Sequence, residues 1–241
     1  MTRSLAWIAA GGLCVGIACL VLALLAGGRS SRGPAPALTG RPCDMRPDGV
    51  ATERRLAWSA GDAIEIALPA TVRYSGGSST DVVVRGPGPF VERVALRGQA
   101  VVLACHPIGP PPHIDIALPG KAFRRIGLNG SGRLVLENLD QPKLAVNIAG
   151  SGGVQARGRV DELTLSVAGS GRAQLADLTL RRLIVKLSGS GYVEASPTLA
   201  ADVEIAGTGD VRLLVRPRSL TSQVAGSGLV RQPPPDSAES K

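Results

Sequence analysis

The chain has 241 residues, 44% of them hydrophobic but only 2% aromatic, with 31 glycines and 18 prolines. Aliphatic content punctuated this heavily by turn formers favours β structure with many corners, and so few aromatics leave no stacking platform for single-stranded nucleic acid. Lysine and arginine outnumber aspartate and glutamate by 27 to 19, and the net charge of +8 permits attraction to phospholipid headgroups or acidic polysaccharides.

The first element is "LAWIAAGGLCVGIACLVLALLA", residues 5–26, without a charge and apolar on every face. It is long enough to cross a bilayer, so residues 1–28 are read as a signal anchor or a signal peptide. Small residues at Ala26 and Gly28 fit a cleavage site, whereas the length of the run fits an uncleaved anchor. Arg29, Arg32, Arg41 and Arg46 follow it and oppose translocation of what comes next, although the rest of the chain reads as an exported domain. Residues 29–57 are rich in glycine, proline and arginine without periodicity and read as a linker; residues 232–241, "QPPPDSAESK", read as a disordered tail.

Cys14 and Cys19 fall inside the apolar run, which leaves Cys43 and Cys105 as a pair suited to one disulfide in an oxidising compartment. His106 and His113 flank "PIGPPP" near Cys105, but the prolines and the lack of paired ligand spacing argue against zinc. No metal or cofactor is expected.

Between residues 58 and 120 the segments "IEIALP", "DVVVRGPG", "VERVALRGQ", "AVVLAC" and "IDIALP" read as short strands with Gly/Pro turns. This part lacks the motif that dominates residues 121–231. There a Gly-Ser-Gly, once Gly-Thr-Gly, recurs with its first glycine at Gly130, Gly150, Gly169, Gly189, Gly207 and Gly226, at intervals of 18 to 20 residues. Each copy is flanked by two-residue alternation, as in Leu163, Leu165 and Val167 before it and Ala173 and Leu175 after it. A fixed period near 19 built from strands predicts an all-β fold, a right-handed parallel β-helix. Residues 58–120 would cap it or form its irregular first coils.

Continuing the alternation through the motif points both glycines inward at a tight corner, the second set being Gly132, Gly152, Gly171, Gly191, Gly209 and Gly228. Ser131, Ser151, Ser170, Ser190, Thr208 and Ser227 would then form an outward hydroxyl column with rungs about 4.8 Å apart. A phosphate-binding loop needs a helix after the glycines, and strands follow here.

The order "IEIALPATVRYS", "IDIALPGKAFRRIGLNGSGRLVL" and repeated "AGSG" units ending in "VAGSGLVRQPP" resembles the bacterial family called putative auto-transporter adhesin, head GIN domain, over about residues 58–233. The resemblance implies a β-helical domain of the bacterial cell envelope with an adhesive role and no catalytic residues to carry over. The domain would face the periplasm from an inner-membrane anchor, or be periplasmic or secreted if the leader is cleaved. Arg or Gly follows the motif in half of its copies here, and an acidic residue follows it once, at Asp210.

Two functions compete. One is a non-catalytic scaffold or adhesin that binds a surface, a polymer or itself; the other is a polysaccharide-acting β-helix enzyme. Asp140, Asp161, Glu162, Asp177, Glu194, Asp202 and Glu204 are scattered over different rungs without a histidine among them, which disfavours the enzyme. Arg181 and Arg182 are the candidate contacts to an anionic envelope polymer or surface, placed at a corner where both side chains face out.

Overall fold

The computed structural model describes residues 50–105 and 113–234, together with the backbone of 42–43 and 106–107. The apolar run at 5–26, most of the 29–57 linker, the Cys43 side chain and residues 235–241 of the tail lie outside the described residues. Among the described residues no helix is long and apolar enough to cross a membrane.

The strands in chain order are β1 (Pro42–Cys43), β2 (Ala51–Ala57), β3 (Ala63–Ala67), β4 (Thr71–Ser75), β5 (Asp81–Pro87), β6 (Val94–Arg97), β7 (Ala100–Leu103), β8 (His106–Pro107) and β9 (Asp115–Ala117). The repeats supply β10 (Arg125–Gly130), β11 (Arg133–Gly150), β12 (Gly153–Gly169), β13 (Arg172–Gly189), β14 (Tyr192–Gly207), β15 (Asp210–Leu213), β16 (Ser219–Gly226) and β17 (Leu229–Arg231). One short helix, α1 (Gly88–Val91), interrupts the first part.

From β10 onward every neighbouring pair is parallel, and each turn lies on the one before it to give a β-solenoid of about five turns. The long strands are bent. In β13 the buried Ala173 and Leu175 are followed by the exposed Ala176 and Asp177, then the buried Leu178 and Leu180, the exposed Arg181 and Arg182, and the buried Leu183, Val185 and Leu187. Two consecutive exposed residues cannot occur in a straight half-buried strand, so each such pair marks a corner. A turn therefore has three buried runs and three corners, the third being Gly-Ser-Gly.

Stacking places like on like inside. Leu144, Leu163, Leu183 and Ala201 are in register, as are Ile148, Val167, Leu187 and Ile205. All of these are nearly or fully buried, and among the described residues no polar side chain is buried with them. Burial of aliphatic area at roughly 25 cal/mol per Å² is thus the dominant favourable term holding turn to turn.

Part of the region before the repeats is already solenoid. β3 pairs parallel with β10, matching Ile64 to Ile126 and Ile66 to Leu128, and β4 pairs parallel with β11. The echo "IDIALP" enters as β9, parallel to β4. Antiparallel pairs β2–β5 and β6–β7 cover this end, and three aromatic side chains pack there, with Phe123 edge-on to both Trp58 and Tyr74 at 6.0 Å. At the other end β16 is largely exposed, and Val224 and Leu229 stand 41% and 49% open.

The sequence reading of 29–57 as linker is corrected at its end, because residues 51–57 form β2 against β5. All of β2 but Leu56 is exposed, so no alternation marks it. Pairing with a distant strand creates it.

Candidate functional site

The Gly-Ser-Gly corner is built by two different constraints, one per glycine. The first glycine of each motif has a positive φ, from 107° at Gly130 to 132° at Gly207. A Cβ at Gly169 would lie 2.5 Å from the carbonyl oxygen of Gly150, so it would point along the solenoid axis into the turn beneath. A Cβ at the second glycine, Gly171, would instead enter the core, 2.9 Å from Ile148 Cγ2 and 3.2 Å from Val167 Cγ1. The inward expectation for both glycines is therefore corrected for the first, because positive φ breaks the two-residue alternation at that residue.

This geometry carries the hydrogen-bond ladder round the bend. The Ser170 amide donates to the Gly150 carbonyl at 3.0 Å and the Arg172 amide to the Gly152 carbonyl at 3.0 Å. Ser190 and Tyr192 repeat both bonds one turn later, at 2.9 and 3.0 Å. Glycine stands on glycine at every turn from Gly130 to Gly226.

Outside that corner the hydroxyls divide into two groups. Ser190 and Thr208 bond to each other across turns at 3.0 Å. Ser131, Ser151 and Ser170 make no side-chain hydrogen bond among the described residues, and they open onto a groove of about 390 Å³. Arg133, Gly153 and Arg172 line it as consecutive members of one register column, which continues to Tyr192, Asp210 and Leu229. Gln155 and Gln174, joined by a 2.7 Å hydrogen bond, form its far side. The groove lining contains no carboxylate among the described residues. Arg172 lies 5.8 Å over the Tyr192 ring. The Tyr192 hydroxyl donates to Glu194 at 2.7 Å, and this bond, more than burial, raises the phenol above its ordinary range.

Elsewhere on the solenoid surface several cations and carboxylates are paired. Arg157 meets Asp177 at 3.2 Å, Arg159 meets Asp161 at 3.5 Å, Lys143 meets Glu162 at 3.1 Å and Lys186 meets Glu204 at 3.6 Å. These exposed pairs are each worth under about 1 kcal/mol, so their weight is in cancelling surface charge rather than in stability. At the amino-terminal end Glu53 accepts from Arg85 and Arg55, and those bonds lower its carboxyl below the usual range.

Arg181 and Arg182 are both exposed, between the buried Leu180 and Leu183. Arg182 is in register with Glu162, and Asp161 precedes that glutamate, so an acidic doublet stands one turn below the basic one. A second hollow, of about 640 Å³, lies at the same edge between Ala122, Phe123, Pro142 and Leu144, with Asp62–Arg124 and Lys143–Glu162 ion pairs on its rim.

Cys105 is buried and disulfide-bonded. The strand that follows it, β8, pairs parallel with β1, which sets Cys43 opposite Pro107 along the backbone. His113 is exposed and lies 3.3 Å from Asp115.

Sequence reasoning singled out the Gly-Ser-Gly motifs and the arginine doublet but passed over Arg133, Gly153 and Arg172 as a column. The signal was present as the additional glycine in "AGSGGVQ", which breaks the pattern of a side chain after the motif.

A putative adhesin from Bacteroides fragilis NCTC 9343 shares the fold with a TM-score of 0.59 at 17% identity, over 78% of this chain and 100% of that one. A putative lipid binding protein from Parabacteroides distasonis ATCC 8503 aligns with a TM-score of 0.47 at 16% identity, over 79% of this chain and 99% of that one. A putative adhesin from Parabacteroides merdae ATCC 43184 gives 0.45 at 12%, over 79% and 99%. Comparison with curated proteins gives no match. Residues 115–217, which run from β9 to just past β15, match the family model described as putative auto-transporter adhesin, head GIN domain, the family that the sequence resembles.

Proposed function

We propose that this chain is a non-catalytic, adhesin-type module of the bacterial cell envelope, tethered through residues 1–28, that binds an anionic surface or polymer. The observation that carries this reading is the match of the repeat segment to an adhesin head-domain family. Its net charge of +8 favours anionic targets. The non-catalytic part is supported by the surface carboxylates, since Asp161, Glu162, Asp177 and Glu204 each lie within 4 Å of a cation.

The test is retention of the full chain, purified in neutral detergent, on anionic and neutral polysaccharide beads across a salt series. Anionic retention should fall as salt rises, because exposed charges more than about 8 Å apart are screened near 0.15 M. Equal retention on neutral beads, or none on any anionic surface, would overturn the reading. An alkaline-phosphatase fusion after residue 60 should be active if the domain is exported.

The exported location also fits a disulfide joining Cys105 to Cys43. Alkylation with and without reduction, followed by mass analysis, should show a 43–105 cross-linked peptide; a free Cys43 in the exported chain would end that assignment.

A further inference from the structure

We propose that the groove at the Gly-Ser-Gly corner of the first three repeat turns is a binding site for a carboxylated saccharide, seated over Gly153 between Arg133 and Arg172. This rests on the adhesin reading and gives it a location and a ligand class. The inference begins from Gly153. Within residues 121–231 it is the one glycine that has neither a positive φ nor a neighbour that a Cβ would crowd, the nearest atom being the Arg172 carbonyl oxygen at 3.7 Å. Backbone and packing therefore do not require glycine there, and an outward strand position disfavours it. What it does is leave a gap. Its register neighbours are Arg133 below and Arg172 above, so two guanidiniums on flexible stems border a notch whose walls are about 9.6 Å apart, two strand spacings.

The surrounding chemistry suits a sugar acid. Arg133 has no ion pair or side-chain hydrogen bond among the described residues, and Arg172 has only the Tyr192 ring, so both retain donors for a carboxylate. Ser131, Ser151 and Ser170 hold hydroxyls without partners among the described residues on one side, and Gln155 and Gln174 offer amides on the other. The carboxylates Glu137, Asp177 and Glu194 line the adjoining hollow, whereas the groove over Gly153 is lined by none among the described residues. The groove is polar and open, with no apolar slot for an acyl chain, which separates a saccharide from a lipid. The Arg181–Arg182 corner offers less, because Asp161 and Glu162 lie one turn beneath it.

The experiment uses the full chain in neutral detergent and polygalacturonate, a linear uronic-acid polymer, with its methyl ester and soluble glycerol phosphate, the phosphatidylglycerol headgroup, as further arms. Gly153→Glu sets a carboxylate between the two arginines at a position whose backbone accepts a side chain, and Arg133→Ala/Arg172→Ala removes the donors. Each should weaken polygalacturonate binding by about tenfold or more, with the melting curve unchanged, while Arg181→Ala/Arg182→Ala stays within about twofold. The methyl ester should bind no better than the Gly153→Glu variant binds the acid. Binding that survives Gly153→Glu and the Arg133/Arg172 double variant but is lost in the Arg181/Arg182 variant would overturn the groove and leave the anionic-surface reading standing. Binding to glycerol phosphate alone, weakened by Gly153→Glu, would overturn the saccharide assignment in favour of a phosphate headgroup. No binding to any anionic arm would remove both readings.

Discussion

The Gly-Ser-Gly corner and the two other corners of the same solenoid do opposite jobs. At the glycine corner Gly130 stands on Gly150, Gly150 on Gly169 and so on through every turn, and the residue offset runs through it unchanged, as with 19 at both Gly150↔Gly169 and Gly153↔Arg172. At the next corner the offset changes in each pairing from β11 to β14, and at the one after it only between β13 and β14. From β11 to β12 it goes from 20 at Leu136↔Ala156 to 19 at Leu139↔Gly158, and from β12 to β13 from 19 at Gln155↔Gln174 to 20 at Gly158↔Leu178. A corner with the same positive-φ glycine and the same core contact in every turn admits a single chain path, whereas a corner whose residues and torsions differ between turns, as with Asn138 at φ 53° and Gly158 at φ 120°, absorbs an extra one by bulging outward. Register is thus set once per turn, at the glycines, and variation in repeat length is passed to the corners where side chains face solvent.

The strongest way to break this contrast is Gly169→Val. It combines a disfavoured φ with a side chain driven into the Gly150 carbonyl, so the expected loss is about 3 kcal/mol or more, read by chemical denaturation. Gly171→Val, which overpacks the core beside Ile148 and Val167, should cost about 1–3 kcal/mol. Losses of the same size at Ala176→Val would show that the glycine corner is nothing special.

Inserting one alanine probes the same idea through register. Placed between Ala176 and Asp177, where neighbouring turns already differ in length, it should shift the melting midpoint by a few degrees at most, on the order of 1 kcal/mol. Placed between Gly169 and Ser170, it should prevent a cooperative transition. Similar melts for the two insertions would mean that register is not set at the glycines.

Smaller effects sharpen the picture. Ser170→Ala should stay within about 0.5 kcal/mol by thermal melting, since its hydroxyl is exposed and makes no hydrogen bond among the described residues. Asp177→Ala, which removes an exposed partner of Arg157 at the second corner, should also lie within about 0.5 kcal/mol and vanish in high salt. The smallest effect concerns acid. Because bonds from Arg85 and Arg55 hold the Glu53 carboxyl below its ordinary value, its contribution is present above the unfolded carboxylate pKa and is lost as pH falls through the folded one. Glu53→Gln should therefore lower stability near neutrality slightly, leave it unchanged at low pH and so flatten the acid limb of the pH–stability curve.

Legibility followed the same division. Leu163-x-Leu165-x-Val167 and its counterparts announced buried strands because an aliphatic core with no polar side chain among the described residues leaves a clean alternation. Strand β2 announced nothing, because "ATERRLA" is exposed and is a strand only through its distant partner β5. The arginine doublet was readable as an outward corner, but its acidic neighbours Asp161 and Glu162 lie 20 residues upstream, at a distance only the stacking register converts into proximity.

By itself the sequence determined the parallel solenoid, its period and the identity of its tightest corner, since a side-chain alternation repeated on a glycine clock has few other ways to bury itself. Tertiary structure alone decided what each glycine is for. Gly169 is demanded by φ and the turn beneath it, Gly171 by the core, and Gly153 by neither. The three look alike in a string of letters because glycine records only that a side chain is missing; whether backbone torsion, a neighbour's atoms or an open notch accounts for it depends on the residues stacked above and below.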